Sequence, residues 1–359
     1  MKAPIWQKPD TAFWAGKRVL VTGHSGFKGS WLTLWLNNLG AHVTGVSLEP
    51  NSEPNLFTVA RVAEACSSHF CNICDAHGLA GVVRAARPEI VFHLAAQPLV
   101  RASYLDPLDT FATNVQGTAH LLQALRGLEG IRVAVMVTTD KVYRNKEWVW
   151  PYRECDPLGG HDPYSASKAA SELVISSYRD SFLAADGVAV ATARAGNVIG
   201  GGDWSVDRLL PDAIRAWEAG VALEIRRPDA TRPWQHVLEP LAGYLSLANA
   251  LWEMPSLAGA YNFGPDSADS GSTVRHVIEL AREAYTFGQV AYGQVLTGPH
   301  EANMLALDVS KAKSALGISS RLSLDQCVFK TVRWYRDFQA GRDARELCIE
   351  NLSSYVALL

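Results

Sequence analysis

The stretch Val19-Leu-Val-Thr-Gly-His-Ser-Gly-Phe-Lys-Gly29 passes from a run of apolar residues into glycines with the spacing G-x-x-G-x-x-G. The apolar run predicts a buried strand, and residues 28–39 have the period of a helix that Gly40 ends. A glycine loop that opens the first strand-to-helix unit is typical of a dinucleotide-binding fold, because the helix directs its backbone N–H groups at the pyrophosphate.

Strands and helices alternate along the rest of the N-terminal half. Further strands are predicted at 41–47, 89–95, 131–138 and 188–194, and further helices at 79–86, 110–128 and 164–183. This alternation predicts an α/β fold with a Rossmann-type, doubly wound parallel sheet that helices cover on both faces. We assign residues 13–196 to this dinucleotide-binding domain.

The pattern loosens after Asn197, where glycine, proline and tryptophan become frequent. We predict a smaller, mixed α/β C-terminal domain, formed by residues 197–235 and 263–359, that builds the substrate side of a cleft. Residues 236–262 contain a strongly apolar helix at 238–252, which we expect to pack back on the sheet of the first domain.

The composition argues against several classes of protein. Of the 359 residues, 48% are hydrophobic and 19% charged, and the net charge of −3 comes without a run of lysine and arginine, so neither nucleic acid nor a membrane is expected as partner. No apolar stretch reaches the roughly 18 residues of a membrane span, and no signal peptide is evident, so we expect a cytoplasmic protein. The six cysteines, including the Cys71/Cys74 pair, predict neither a disulfide framework nor a metal site.

The glycine loop predicts a nicotinamide dinucleotide as cofactor. Gly23 makes the tight turn, Gly26 lets the backbone approach the pyrophosphate, and Gly29 lets the helix pack on the sheet. Ser47-Leu-Glu-Pro50 offers a displaced acid for the ribose of NAD and no arginine for the 2′-phosphate of NADP, which favours NAD. The predicted contacts lie in the loop, in a pair near the expected adenine and at a strand end: Gly23, His24, Gly26, Phe27, Lys28, Gly29, Asn72, Ile73, Leu94, Ala95, Ala96 and Gln97.

The stretch Asp162-Pro-Tyr-Ser-Ala-Ser-Lys168 places Tyr164 and Lys168 four residues apart on a helix, so that their side chains share a face. A free tyrosine has a pKa of about 10 and is a poor base at neutral pH. A nearby ammonium and the positive nicotinamide ring favour the phenolate and lower that pKa. We predict that Tyr164 and Lys168 contact the cofactor and that Tyr164 takes a proton from a sugar hydroxyl during hydride transfer.

These motifs, with the strand that ends at Thr138-Thr139, resemble the nucleotide-sugar branch of the extended short-chain dehydrogenase/reductase family over nearly the whole chain. Thr139-Asp140-Lys141 is similar to the catalytic stretch of the sugar 4,6-dehydratases, most of which have Thr-Asp-Glu. The lysine in third place, with Glu147-Trp-Val-Trp150 and Arg232-Pro-Trp-Gln-His-Val237, resembles those members that act on CDP-D-glucose.

The resemblance implies a reaction in three parts. Tyr164 takes the proton of the 4-hydroxyl while NAD receives the hydride, water is then eliminated across carbons 5 and 6, and the hydride returns to carbon 6. In this scheme Thr139 steadies the 4-oxygen, Asp140 is the acid and Lys141 takes part in the elimination. By the same resemblance, Asn114 contacts the cofactor and helps to place the active-site lysine and its water. The alternative is that Asn114 simply faces solvent. The 4-keto-6-deoxy product implies a role in deoxysugar biosynthesis, such as that of lipopolysaccharide O-antigen.

Two points complicate this scheme. Neighbours on a strand point to opposite faces, so Thr139, Asp140 and Lys141 can reach one ligand only if the strand has already turned into a loop. A lysine base must also be neutral, against a reference pKa of about 10.4, which burial or another cation would have to lower. Alternatively, Lys141 stays charged and stabilises the enolate while another group removes the proton.

Arginines are the candidates for the diphosphate of the nucleotide-sugar. Arg208 and Arg232 offer forked donors that suit phosphate oxygens, and Asn197 opens a glycine-rich bend where the backbone can approach a ligand. The resemblance alone adds Arg101 and His300 to these substrate contacts.

Two other functions stay open. An epimerase or another nucleotide-sugar dehydratase uses the same scaffold, although epimerisation needs no acid for a leaving hydroxyl and so leaves Asp140 and Lys141 unexplained. A non-catalytic dinucleotide-binding regulator has no need of Tyr164, Lys168 and Thr139 together. Relatives commonly dimerise through the helices at 110–128 and 164–183, so the resemblance also implies a homodimer or a dimer of dimers.

Overall fold

The computed structural model describes residues 9–266, 271–293 and 304–359. The strands within these ranges are, in chain order, β1 (Arg18–Thr22), β2 (His42–Ser47), β3 (Ser67–Phe70), β4 (Ile90–His93), β5 (Val133–Val137), β6 (Ala189–Ala195), β7 (Val198–Ile199), β8 (Leu223–Ile225), β9 (Thr231–Arg232), β10 (Gln235–His236), β11 (Gly259–Phe263), β12 (Ser272–Thr273) and β13 (Val290–Tyr292).

Helices connect these strands and follow them to the C-terminus. The α-helices are α1 (Thr11–Trp14), α2 (Phe27–Asn38), α3 (Leu56–Val59), α4 (Ala76–Ala86), α5 (Val100–Leu105), α6 (Pro107–Phe111), α7 (Gly117–Leu125), α8 (Pro163–Tyr178), α9 (Leu209–Glu218), α10 (Leu238–Glu253), α11 (Val274–Tyr285), α12 (Ser310–Leu316), α13 (Leu324–Gln339) and α14 (Ala344–Val356). Single 3₁₀ turns form at Val62–Ala65, Asp140–Val142 and Pro255–Leu257, and π-helical turns at Ala112–Gln116 and Arg179–Leu183.

Seven strands form one parallel sheet in the order β11-β6-β5-β4-β1-β2-β3, which confirms the Rossmann-type doubly wound fold. Alternate residues of β5 enter two separate apolar cores. Val133 and Val135 pack on the face of the sheet that α2 and α10 cover. Ala134 and Met136 pack on the opposite face, which α4, α7 and α8 cover. Both faces of the strand are buried, so its sequence is a continuous apolar run rather than an alternating one.

Two strands of the sheet are absent from the sequence prediction. β3 reads Ser-Ser-His-Phe and lies largely exposed at the sheet edge, so it has no apolar run to mark it. β11 follows α10 and pairs with β6, which returns this part of the chain to the sheet. The division into two domains at the predicted boundaries stays a prediction.

The C-terminal elements form short two-stranded ladders, β10 with β7, β12 with β9 and β13 with β8, beside α9 and α11 to α14. The direction of strand order reverses between β1 and β4, where the carboxyl ends of the strands leave a crevice for ligands. In the described part of the chain no helix is both long and apolar enough to cross a bilayer.

Candidate active site

A cleft of about 1360 Å³ opens along the carboxyl ends of β1, β2, β4, β5 and β6 and is closed on the far side by residues of the C-terminal elements. It is long enough to be lined at one end by the glycine loop and at the other by β8 and the start of α11. Among the residues that the structure describes, no group of three or more His, Cys, Asp or Glu side chains could hold a metal ion.

Two glycines of the loop lie so close to other backbone atoms that a side chain would not fit. Gly23 has φ +77°, and a Cβ there would lie 2.7 Å from the backbone nitrogen of Ala95. A Cβ at Gly29 would overlap the carbonyl oxygen of Gly23. Gly26 caps α2 without a side chain, so the first N–H groups of this helix face the cleft. This cradle fits a dinucleotide pyrophosphate.

The side chain of His24 does not line the cleft, contrary to its prediction as a cofactor contact. Its ring is fully buried against Gly45, with Nε2 2.7 Å from the Ser68 hydroxyl and Nδ1 3.0 Å from the Ser47 hydroxyl. Burial lowers the pKa of His24 to about 4, so the ring is neutral at physiological pH. His24 therefore joins the loop to β2 and β3.

Asn72, Ile73 and Glu49, the predicted contacts of the adenosine, line the cleft beyond the ends of β2 and β3. Ile73 is buried and packs on Gly117 at the start of α7, where a Cβ would crowd its Cδ1 atom. Glu49 is exposed and is the one acid at the end of β2, and its neighbours Ser47 and Leu48 also line the cleft.

Leu94, Ala95 and Ala96 line the cleft after β4, whereas Gln97 and Asn114 lie behind them. The Asn114 amide accepts from the backbone N–H of Gln97 at 2.8 Å, donates to its carbonyl at 3.1 Å and donates to the Ser167 hydroxyl at 2.9 Å. Asn114 is buried and so does not face solvent, and the cofactor contacts of Gln97 and Asn114 stay predictions. The two side chains fasten the segment after β4 to α8.

Tyr164 and Lys168 lie one turn apart on α8, and both line the cleft while remaining buried. Burial lowers the pKa of Lys168 to about 8, against the charge of Glu172, which raises it. The Lys168 ammonium donates to the carbonyl of Val137 at 3.1 Å. Burial raises the pKa of Tyr164 to about 12, and a hydrogen bond donated by Thr139 to the phenolate acts in the opposite direction. The chain by itself thus leaves Tyr164 as the neutral phenol at physiological pH.

Thr139, Asp140 and Lys141 all line the cleft because β5 ends at Val137 and the chain then forms the 3₁₀ turn at Asp140–Val142. The Thr139 hydroxyl donates to Asp140 Oδ1 at 2.9 Å and also accepts from the backbone N–H of Lys141 at 3.4 Å. Asp140 is buried, and its Oδ2 atom has no hydrogen-bond partner in the described protein. The turn resolves the difficulty of three consecutive residues facing one ligand.

The predicted substrate residues that the structure describes, Arg101, Asn197, Arg208 and Arg232, also line the cleft. Arg101 pairs with Asp207 at 2.8 Å, and Arg208 pairs with Asp203 at 3.4 Å. Asp203 and Asp207 are cleft residues that sequence reasoning missed, since an acid near a predicted phosphate site carries no distinctive pattern.

Of the three remaining predicted substrate contacts, the structure describes Arg232 and Asn197 but not His300. Arg232 is buried in the cleft wall, and Asn197 lies beside it, with its carbonyl accepting from the backbone N–H of Gln235 at 3.0 Å. His300 lies outside the described residues.

Lys28 adds a further positive charge to the cleft. It is the second residue of α2, and its charge interacts with those of Arg208, Lys168, Asp140 and Asp203. Burial, together with the two neighbouring cations, lowers the pKa of Lys28 to about 8. An anionic ligand would offset these effects and favour the charged form of this lysine.

Comparison with known proteins identifies the family to which this arrangement belongs. The model of the GDP-mannose 4,6-dehydratase family matches residues 20–331. The chain belongs to this dehydratase family. This family member is 45% identical over 357 residues to the CDP-glucose 4,6-dehydratase of Salmonella typhimurium, covering 97% of this chain and 98% of the relative. It is 29% identical over 323 residues to a dTDP-glucose 4,6-dehydratase of Streptomyces griseus, covering 88% and 93%.

Solved structures show the same fold in the dehydratase family and in epimerases. A dTDP-glucose 4,6-dehydratase from Streptomyces venezuelae, crystallised with NAD, has a TM-score of 0.76 at 26% identity, covering 90% of this chain and 98% of that one. A UDP-glucose 4-epimerase from Thermotoga maritima, crystallised with UDP-glucose, has a TM-score of 0.78 at 22% identity, covering 89% and 99%. Since the fold is common to both, the residues in the cleft must decide between the two activities.

The glycine cradle of this dehydratase family member can be tested with a pair of matched variants. Gly29→Ala places a methyl group on the Gly23 carbonyl oxygen, whereas Gly81→Ala in α4 meets no atom within 4 Å. We expect Gly29→Ala to weaken NAD binding by about 100-fold or more, roughly 2.7 kcal/mol, because the loop must open to accommodate the methyl group. Gly81→Ala should leave binding unchanged. Calorimetric titration with NAD measures both, and equal affinities would contradict the assigned role of the loop.

Proposed function

We propose that this chain binds NAD and converts CDP-D-glucose to CDP-4-dehydro-6-deoxy-D-glucose, as a hydro-lyase of deoxysugar biosynthesis such as that of O-antigen. The observation that carries the proposal is the meeting of Tyr164 and Lys168 with Thr139, Asp140 and Lys141 in one cleft. The choice of CDP-D-glucose is supported by the Salmonella relative, which is 45% identical over almost the full length of both chains.

Tyr164 is the proposed base for the 4-hydroxyl of the sugar. NAD, held by the glycine loop, would supply a hydride acceptor for carbon 4, a hydride donor for carbon 6 and a positive ring that favours the phenolate. The buried Lys168 adds a second positive charge on the same face of α8. Both charges counteract the burial that raises the pKa of Tyr164 to about 12, so the phenolate becomes accessible only in the complex.

Thr139 is the proposed link between the base and the acid. A hydroxyl group has one proton to donate, and in this structure Thr139 donates it to Asp140 Oδ1 at 2.9 Å. Donation to the Tyr164 phenolate or to the 4-oxygen requires this hydroxyl to rotate away from Asp140. Thr139 therefore hydrogen-bonds the acid before substrate oxidation and steadies the 4-oxygen during it.

Asp140 is the proposed acid for the departing 6-hydroxyl. Its Oδ2 atom is buried and free of hydrogen bonds in the described protein, so a proton carried there is available to a ligand in the cleft. Lys141, the next residue, takes part in removing the proton of carbon 5. The 4-keto group makes that proton acidic, and Lys141 acts either as the base or as the cation that stabilises the enolate.

Arg101, Arg208 and Arg232 are the proposed contacts of the CDP diphosphate, with Asn197 beside them. In the free chain two of these arginines are paired with Asp207 and Asp203, at 2.8 and 3.4 Å. A diphosphate provides more acceptor oxygens than one carboxylate and carries more charge, so it competes for the same guanidinium groups. The cytoplasm is the proposed location, and the nucleotide-sugar is the proposed small-molecule partner.

The purified protein should release one water from CDP-D-glucose in the presence of NAD. Incubation with CDP-, dTDP-, GDP- and UDP-hexoses, followed by mass spectrometry of each product, tests this directly. Loss of water from another of these sugars would reassign the substrate. An unchanged mass with altered stereochemistry would indicate an epimerase, and no product from any sugar would indicate a non-catalytic regulator.

Lys141→Met should separate oxidation from dehydration. Methionine is an unbranched side chain one atom shorter than lysine and can neither remove a proton nor stabilise an enolate. We therefore expect oxidation at carbon 4 to continue while the rate of water loss falls about 100-fold or more. Rapid quenching and mass spectrometry distinguish the 4-keto sugar from its 6-deoxy product. Unchanged turnover would remove Lys141 from the mechanism.

A homodimer or a dimer of dimers is the proposed assembly. It is supported by exposed apolar side chains on α5, α6 and α8, where Leu105 is 88%, Leu108 81% and Leu173 61% exposed. We expect Leu108→Glu to lower the mass measured by light scattering to that of one chain, because a charge would be buried in the interface. A parent protein that already has the mass of one chain would refute the proposed assembly.

A further inference from the structure

We propose that the buried pair Glu172–Arg194 is a positioning device for the reaction: it holds both ends of the turn that bears Thr139-Asp140-Lys141, and its carboxylate is the counter-charge of Lys168. This inference rests on the proposed function and adds two residues that act on catalysis without touching the ligand, since neither lines the cleft.

Glu172 extends the row of active-site residues along α8. Tyr164, Lys168 and Glu172 follow one another at intervals of four residues, so the three side chains share one face of the helix. Tyr164 and Lys168 open into the cleft, whereas Glu172 points to the sheet below it. All three are at least nine-tenths buried.

The Glu172 carboxylate holds the start of the catalytic turn. It accepts a hydrogen bond from the Thr138 hydroxyl at 2.5 Å, and Thr138 directly precedes the catalytic Thr139. It accepts a second from the Thr192 hydroxyl of β6 at 2.9 Å and two from Arg194, at 2.9 and 2.8 Å. The first residue after β5 is therefore tied to both α8 and β6.

Arg194 holds the other end of the same turn. Its Nη1 atom donates to the hydroxyl of Tyr143 at 2.9 Å, and Tyr143 directly follows the 3₁₀ turn. The Tyr143 hydroxyl in turn donates to Asn262 of β11 at 2.6 Å. One ion pair thus fixes residues 138 and 143, and the segment between them contains the three proposed catalytic residues.

Several titratable groups influence the charge of Lys168, and Glu172 is the one that favours its ammonium form. The titratable groups that interact electrostatically with Lys168 are Lys28 of α2, His93 of β4 and Glu172 of α8, and the Glu172 carboxylate is itself paired with Arg194 of β6. Burial lowers the pKa of His93 to about 3, so this ring is neutral, and Thr22 and Thr118 satisfy its two nitrogens at 2.7 and 3.0 Å. Glu172 raises the pKa of Lys168 and favours the ammonium that Tyr164 needs.

A contribution to folding stability does not by itself explain why a buried ion pair occupies this position. Burying two charges costs about as much as their attraction returns, and apolar replacements of buried pairs are often neutral or stabilising. The contacts of Glu172 and Arg194 with both ends of the catalytic turn supply a functional reason instead.

Two threonines provide a matched test of the positioning role. Thr138→Val and Thr192→Val each remove one hydroxyl from Glu172, but only Thr138 adjoins the catalytic turn. We expect Thr138→Val to lower kcat about tenfold or more with KM within twofold, because small displacements of reacting groups are costly. Thr192→Val should keep kcat within twofold at a comparable loss of thermal stability. Equal kcat values in the two variants would overturn the positioning role.

Glu172→Gln tests the counter-charge through the pH profile of kcat/KM. The profile is measured on the protein saturated with NAD, in which the phenolate of Tyr164 is accessible. Loss of the carboxylate lowers the pKa of Lys168, so the alkaline limb should move to lower pH. The weaker ammonium raises the pKa of Tyr164, so the acidic limb should move to higher pH. The profile therefore narrows from both sides by about half a pH unit or more. Thr138→Val, which removes no charge, should keep both limbs in place. Unshifted limbs in folded Glu172→Gln would overturn the counter-charge role.

A readout independent of turnover separates failure of this inference from failure of the proposed function. Carbon-13 NMR of lysine-labelled protein follows the titration of Lys168, assigned by the resonance that Lys168→Met removes. The pKa of Lys168 should be lower in Glu172→Gln than in the parent, even if no nucleotide-sugar is dehydrated. Identical titrations would contradict the inference, whereas absence of product from the parent would contradict only the function.

Discussion

The structure depends on the way the chain leaves β5. The strand ends at Val137, and the chain turns at once into a 3₁₀ turn, so that Thr139, Asp140 and Lys141 all face the cleft that holds Tyr164. A strand continued by three residues would point alternate side chains to the other face of the sheet. Hydrogen bonds join both ends of the turn to the Glu172–Arg194 pair. The residues proposed for oxidation and those proposed for dehydration are therefore held beside one another.

Electrostatics determine which ligands suit the cleft. Lys168 is buried there and Lys28 is half-buried, both with pKa values lowered to about 8, and Arg101 and Arg208 are paired with carboxylates. NAD and a nucleotide-sugar each bring a pyrophosphate, which offsets the mutual repulsion of these cations. The negative charge of these two ligands therefore offsets the unfavourable free energy of placing several positive side chains close together in the cleft.

Much of the fold and the site could be predicted from sequence because local patterns mark them. Glycine spacing marks the cradle, and intervals of four residues mark Tyr164 and Lys168. What escaped prediction depends on tertiary contacts: β3 is a polar edge strand, His24 turns inward to serines on two other strands, and Asn114 hydrogen-bonds to Gln97. Glu172 lies four residues beyond Lys168, so its spacing was a readable signal, but its partner Arg194 is on a strand that only the fold brings near.

The central claim is that one sugar is oxidised, dehydrated and reduced again without leaving this cleft. Dehydration of CDP-D-glucose that carries deuterium at carbon 4 tests it most directly, with the position of the label determined by NMR of the product. The account predicts that deuterium from carbon 4 appears in the new methyl group at carbon 6 of the same molecule, also when unlabelled substrate is present. A product whose methyl group carries no deuterium, or deuterium shared between labelled and unlabelled molecules, would contradict it.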